Sequence, residues 1–477
     1  MTSSLTRRGL LAGGAALGLA ACARPSSATA ASVETGGPVV FRGATVLPMT
    51  GDAVWEATDV LVRDGVVAEI GRGLGGGTEI DASGAILMPG MVDVHRHCWQ
   101  APFAGLGADW DFAAFTQVTQ GGIVPRYRPE DFHAAALLSH LDALDAGVTT
   151  VVDYNHGLVE PADAEASLRA ATESGARVRY AWGHAAMQAN DPARSWYTAV
   201  EPLLARRTDL VDVALALDWS SDPALPERAA WEFAARENLQ VTAHSGLYGR
   251  GTDAFIDALR NTGRLRSGTL YVHAGAFGDS SYRAIRDSGG AMAICTESEF
   301  TFGQGRPATK QVARYGIGAG LGSDTVVYES ADLLTAMRST LNADRLRANT
   351  EAQQANAPLP APQLTAAQVL EWGTVGGARA LGLADRIGTV EVGKRADLVL
   401  LRPRSPLGGL ALANHPAAAV VLHASRADVD TVLVDGRIVK RDGTLVADLA
   451  AAQRAATDTR AHVLADLDLA AARRGRT

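Results

Sequence analysis

An alternation repeated eight times constrains the fold more than any other feature. A short apolar, strand-like run ends in a polar residue, a loop bearing Gly, Ser or Pro follows, and a helical stretch comes next. The runs end at His97, Asp153, His184, Asp218, His244, His273, Cys295 and Asp324, and helical stretches such as Glu130–Asp145, Glu227–Asn238 and Asp279–Ser288 lie between them. Strands alternating with helices build parallel sheets. Eight such units predict a (β/α)8 barrel, an α/β fold whose active site gathers side chains from the C-terminal ends of its strands. A chain of 477 residues suits one large barrel with an accessory unit.

The accessory unit comes from both ends of the chain. Strand-like runs at Val39–Phe41, Val60–Val62, Val66–Ile70 and Ala85–Met88 are matched by runs at Leu398–Leu401, Thr431–Val434 and Ile438–Lys440, with Asp435-Gly436 as a hairpin turn. A small β-sandwich in two parts, 38–88 and 390–445, is therefore expected to flank a barrel over 89–389, followed by a helical tail over 446–477. Residues 1–37 have the look of a leader and linker. Arg7-Arg8 precedes an uncharged run that is shorter than the roughly 20 residues needed to span a bilayer. That run ends in Leu19-Ala20-Ala21-Cys22, which resembles a lipobox with Cys22 as the lipidated residue, and Ala28-Thr29-Ala30 offers an ordinary cleavage site instead. These signals predict export by a twin-arginine route, to a lipid anchor on the outer side of the cytoplasmic membrane or to a secreted form.

A net charge of −8, with no cluster of Lys or Arg outside the termini, leaves nucleic acid without an electrostatic footprint. With three cysteines, Cys22, Cys98 and Cys295, a chain this large does not rely on a disulfide framework. Cys98 and Cys295 read as buried free thiols, the alternatives being a thiolate ligand or a disulfide between them.

The chemistry lies in the strand ends. His95-Arg96-His97 puts two imidazoles on one face of a strand, because side chains alternate with period two. His244, His273 and Asp324 close later barrel strands, so five ligand-type groups fall on one rim. Imidazole and carboxylate hold a divalent ion while leaving room for water, which points to a catalytic metal site. No Lys ends the fourth strand, where Ala214 to Asp218 is found, so a bridging modified lysine has no candidate and a single ion is expected.

Three stretches then resemble the amidohydrolase superfamily, in the group that holds triazine hydrolases, cytosine-type deaminases and adenosylhomocysteine deaminases. They are Pro89-Gly90-Met91-Val92-Asp93-Val94-His95-Arg96-His97, then Gly320-Leu321-Gly322-Ser323-Asp324-Thr325, and the segment from Ala378 to Leu383 continuing through Gly388 to Leu398. The resemblance implies that His95, His97, His244 and Asp324 bind the metal, zinc or alternatively iron, with His273 as a further ligand or a partner to substrate. It implies hydrolysis by water activated at the ion, with Asp324 as general base and His273 stabilising developing charge. A homodimer is implied as well.

One departure stands out. Deaminases of this group carry a Glu three residues after the fifth-strand histidine, and this chain reads His244-Ser245-Gly246-Leu247. Leu247 transfers no proton, so Glu297 and Glu299, after the seventh strand, are the expected substitutes. Trp99 and Gln100 are expected to stack on and hydrogen-bond a planar substrate, and Asp153, His156 and His184 to line its pocket. The resulting expectation is a mononuclear hydrolase of non-peptide C–N bonds in a small cyclic or aromatic substrate. Its alternatives are a metal-assisted decarboxylase and an inactive, lipid-anchored binding protein.

Overall fold

The computed structural model describes residues 37–184, 196–219, 223–225, 227–249, 251–465 and 467. Eight parallel strands close into a barrel in chain order: β6 (Met91–Arg96), β7 (Val148–Leu158), β8 (Arg177–His184), β9 (Val211–Leu217), β10 (Val241–Ser245), β11 (Thr269–His273), β12 (Ala291–Ile294) and β13 (Gly318–Leu321). Closure comes where Leu321 of β13 pairs with Asp93 of β6. The interior is filled by small and branched side chains, among them Val92, Val152, Ala181, Ala214, Leu270, Val272 and Ala293. Layers of this kind make the interior of such a barrel a packed core.

The remaining nine strands form one sheet from the two ends of the chain. The first part is β1 (Val39–Val46), β2 (Trp55–Arg63), β3 (Val66–Gly71), β4 (Thr78–Asp81) and β5 (Ile86–Pro89), and the second is β14 (Leu398–Leu401), β15 (Val429–Val434), β16 (Arg437–Arg441) and β17 (Thr444–Leu445). The strand order is β17-β16-β15-β14-β5-β1-β2-β3, with β4 pairing β1 off this path. The sheet folds over a core of its own that contains Phe41, Val60, Ile80, Leu87, Leu398 and Leu433. The hairpin turns Asp64-Gly65 and Asp435-Gly436 both adopt positive φ at each residue. This is the geometry that selects Asp-Gly in two-residue hairpins. The two turns abut so closely that a Cβ at Gly436 would lie 2.6 Å from the Gly65 Cα.

Buried charge ties the sheet to the barrel. Arg177 at the start of β8 donates to both oxygens of Asp397 at 2.8 and 3.0 Å, and Lys440 donates to the Asp145 carbonyl at 2.7 Å. The first long barrel helix, Pro129–Asp145, begins with Pro at its first position and a capping box in which Asp131 accepts from the Arg128 backbone at 3.0 Å. Helix Leu449–Leu464 packs on it, and the Thr459 hydroxyl donates to Asp131 at 2.8 Å. No helix among the described residues is long and apolar enough to cross a membrane.

Candidate metal centre

The end of β6 is laced to the residue that follows β13. The Asp324 amide donates to the His95 carbonyl at 2.9 Å, and the His97 amide donates to the Asp324 carbonyl at 2.7 Å. A register shift between Asp93 and Arg96 marks a bulge, a device that re-aims side chains beside active sites. Past it, His95 and His97 turn into the barrel mouth, and Arg96 turns outward to Ser139 and Asp142 on helix Pro129–Asp145. Asp324, His273 and Ala274 all have left-handed backbone, at φ 53, 69 and 53. Such conformations cost non-glycine residues about 1–2 kcal/mol each. Strain of this kind gathers where side chains must point somewhere specific.

Five side chains converge. Asp324 Oδ1 lies 3.4 Å from His95 Nε2 and 3.2 Å from His97 Nε2, and Oδ2 lies 3.9 Å from His273 Nε2. His244 Nε2 is 3.3 Å from His95 Nε2. Outer partners fix the tautomers: His97 Nδ1–H donates to the Tyr154 carbonyl at 2.8 Å, and His244 Nδ1–H donates to Asp218 Oδ1 at 2.7 Å. Each bond leaves Nε2 without a proton and aimed at the centre, as carbonyl and carboxylate partners do for ligating histidines. Burial holds His95 well below the ordinary imidazole range and lowers His244, so both are neutral, the form that binds metal. Burial pushes Asp324 up, but the His95 and His97 imidazoles outweigh it and keep the carboxylate well below its usual range. Burial also opposes the charge on Asp218, and the bond from His244 overrides it, leaving a pKa of about 2. Nitrogen lone pairs 3.3 Å apart repel unless a cation lies between them, so this donor set fits a divalent ion.

The other expected site residues divide. His156 sits in the centre, its ring 4.2 Å from that of His97 and 5.7 Å from that of His244. Trp99 is fully buried beneath it and donates to His156 Nδ1 at 3.4 Å, so it supports the site rather than offering a free face to a substrate. Gln100 is buried as well; its amide oxygen accepts from the Thr325 hydroxyl and its Nε2 has no protein partner. Glu299 is buried behind His273, with Oε1 3.7 Å from His273 Nδ1 and bonded to the Cys295 amide at 2.9 Å. Burial pushes its pKa up. Glu297 turns the other way, accepting from the Ser330 and Ser339 hydroxyls at 2.7 and 3.1 Å. Asp153, expected in the pocket, is corrected: it lies on the outer face of β7, against helix Pro129–Asp145, because Tyr154 takes the inward position. His184 ends β8, and its side chain lies outside the described residues. Cys98 and Cys295 are both free and buried.

Sequence reasoning missed three groups. Asp218 ends a strand run like the ligands do, and that position was its signal; it orients His244. Tyr154 fills the space among the histidines and donates to Asp218 at 3.0 Å. Glu329, in the loop after Asp324, is half-buried with Oε1 enclosed and unpartnered. Burial and the Asp324 charge push its pKa well up. A carboxylate in the loop after a ligand strand was the signal available.

The sequence pattern of the amidohydrolase family matches residues 86–439. The chain is similar to the 5-methylthioadenosine/S-adenosylhomocysteine deaminase of Desulforudis audaxviator, at 28% identity over 423 residues, 84% of this chain and 93% of the relative. It is similar to the 5'-deoxyadenosine deaminase of Methanothermobacter thermautotrophicus at 26% identity, over 81% of this chain and 90% of the relative. Among solved structures, a zinc-bound adenosine deaminase from Xanthomonas campestris superposes with a TM-score of 0.75 at 22% identity, covering 90% of this chain and 98% of that one. An atrazine chlorohydrolase variant from Arthrobacter aurescens, with zinc and atraton, gives 0.76 at 21% identity, covering 89% of this chain and all (100%) of that one.

The exported, lipid-anchored placement expected from Arg7-Arg8 and Cys22 is corrected. The Desulforudis audaxviator relative, a deaminase, is matched over 93% of its length and the Methanothermobacter thermautotrophicus one over 90%, and neither supports an exported, anchored form. Cys22 and the rest of residues 1–36 lie outside the described residues. An arginine pair before a short apolar run is a compositional signal alone, and neither the fold nor the relatives carry it further.

Proposed function

The chain belongs to the amidohydrolase family, and from that premise we propose that it is a metal-dependent hydrolase removing an amine from a planar nitrogen heterocycle, with 6-aminopurine nucleosides as the leading substrate class. The convergence of four imidazoles and Asp324 on one barrel rim carries this reading. His95, His97, His244 and Asp324 would hold one ion, zinc by analogy with the solved neighbours, with His273 beside it. When bound, that ion supplies Lewis acidity, which acidifies water and polarises a ring carbon–nitrogen bond. Asp324 stands where it can accept the proton released by water, and His273, with Glu299 Oε1 3.7 Å from its Nδ1, can donate toward developing charge on the substrate. Phe112 and Phe115 on the short helix Phe112–Thr116, Phe302 at the end of helix Thr296–Thr301, and Tyr328 after β13 form an aromatic cluster suited to a planar ring, with Phe302 and Tyr328 centroids 3.7 Å apart.

Leu247 favours a second reading, hydrolysis of an amide-type C–N bond in a cyclic substrate. Its buried apolar side chain stands where the related deaminases place an acid. For amine release, Glu329 and Glu299 are the carboxyl groups near Asp324 that burial biases toward the protonated form. The test is ammonia release by the zinc-loaded chain across aminated purine nucleosides, pyrimidines, pterins and triazines. Release above a chelated control supports deamination. Its absence from fully metallated protein, together with turnover of cyclic amides, favours the second reading.

A further inference from the structure

The geometry points to a second metal site, built by Cys98, His140 and Asp153 in the wall between the barrel and helix Pro129–Asp145. The three side chains come from three elements: the turn after β6, the helix, and the outer face of β7. All three residues are fully buried, and their ligand atoms lie within 4.8 Å of one another. His140 Nε2 is 3.4 Å from Asp153 Oδ2. Both ring nitrogens of His140 and both carboxylate oxygens of Asp153 lack a hydrogen-bond partner. Four orphaned polar atoms in one buried cluster are costly, since a buried polar group without a partner forfeits the hydrogen bonds it makes in water. One cation answers most of that cost.

The donor set selects the ion. Thiolate, imidazole and carboxylate together suit a borderline-soft, tetrahedral ion of the zinc class and not magnesium or calcium. Two anionic ligands and one neutral ligand cancel the charge of a divalent ion, as a low-dielectric pocket requires. On binding, the Cys98 thiol gives its proton to solvent, and the sulfur–metal bond replaces the S–H bond. The nearby Arg96 guanidinium is already compensated, by Asp142 at 2.9 Å and Asp93 at 3.8 Å. Because Arg96 and Cys98 face outward while His95 and His97 face inward, this site is distinct from the catalytic centre. Its role is structural: it pins the helix behind the strand that presents two catalytic ligands.

The experiment counts zinc in the full chain by mass spectrometry after loading and exhaustive dialysis. Wild type is expected to hold two zinc ions per chain. His140→Leu and the isosteric Asp153→Asn are each expected to hold one, and His95→Asn to keep the second ion. The cobalt(II)-loaded Cys295→Ser chain is expected to retain a thiolate-to-cobalt charge-transfer band that His140→Leu abolishes. One zinc in wild type that His140→Leu leaves in place overturns the second site without touching the catalytic reading. One zinc that His140→Leu removes and His95→Asn does not would support this site and count against the catalytic one.

Discussion

Asp324 meets two histidines through one oxygen and a third through the other, on a backbone held at positive φ. In the proposed reaction a carboxylate so placed is both ligand and proton acceptor. Asp324→Asn should therefore lower turnover by about 10²–10⁴-fold or more in a protein whose circular dichroism is unchanged; activity near wild type would remove Asp324 from the reaction. The two glutamates after β12 should separate cleanly. Glu299→Gln loosens His273 and should cost about 10–100-fold in metal affinity or activity, as loss of a partner behind a ligand does. Glu297→Gln, which keeps an oxygen able to accept from the Ser330 and Ser339 hydroxyls, should stay near wild type. The ligand-type residues were legible because they end apolar runs at barrel spacing. Asp153 was misplaced because a strand end does not say which face its last side chains take, and a bulge changes the answer. The partners Asp218 and Tyr154 come from neighbouring strands, and no local pattern announces contacts across a barrel.

At the scale of elements, the eight-fold alternation made the barrel strands legible from apolar runs alone. Strands β4 and β17 were not, because they are short edge pieces whose pairing depends on partners far along the chain. What positions the site is the seam between β6 and helix Pro129–Asp145. There Asp142 accepts from Arg96 and is also paired with Arg426, which reaches across from the C-terminal segment. Burial raises the Asp142 pKa, but Arg96 and Arg426 outweigh it and hold the carboxyl below its ordinary value. A depressed folded-state pKa adds stability above the unfolded value of about 3.9, lost as pH falls through the folded one. Urea melts should therefore show wild type losing more stability than Asp142→Asn as pH drops below about 4. At neutral pH the variant should be weaker by roughly 1–3 kcal/mol, toward the lower end because the carboxylate is partly exposed. Parallel pH profiles for the two proteins would show that the seam is not held by this charge.

For the whole molecule, the barrel supplies a rigid rim and the two-ended sheet closes its flank through Arg177, Asp397 and Lys440. That division was readable from strand runs at both termini. Substrate choice was not, since it resides in rim loops whose conformations no periodicity encodes. The central proposal is that His95, His97, His244, His273 and Asp324 form a metal-dependent catalytic centre. The most direct test is to strip the chain with a chelator, confirm its fold by circular dichroism, and titrate zinc back while following hydrolysis of the substrate found in the panel. Metal-free protein is expected to show no turnover, with recovery that tracks occupancy of the site His95→Asn destroys. Folded, metal-free protein that still turns over at the wild-type rate would contradict it.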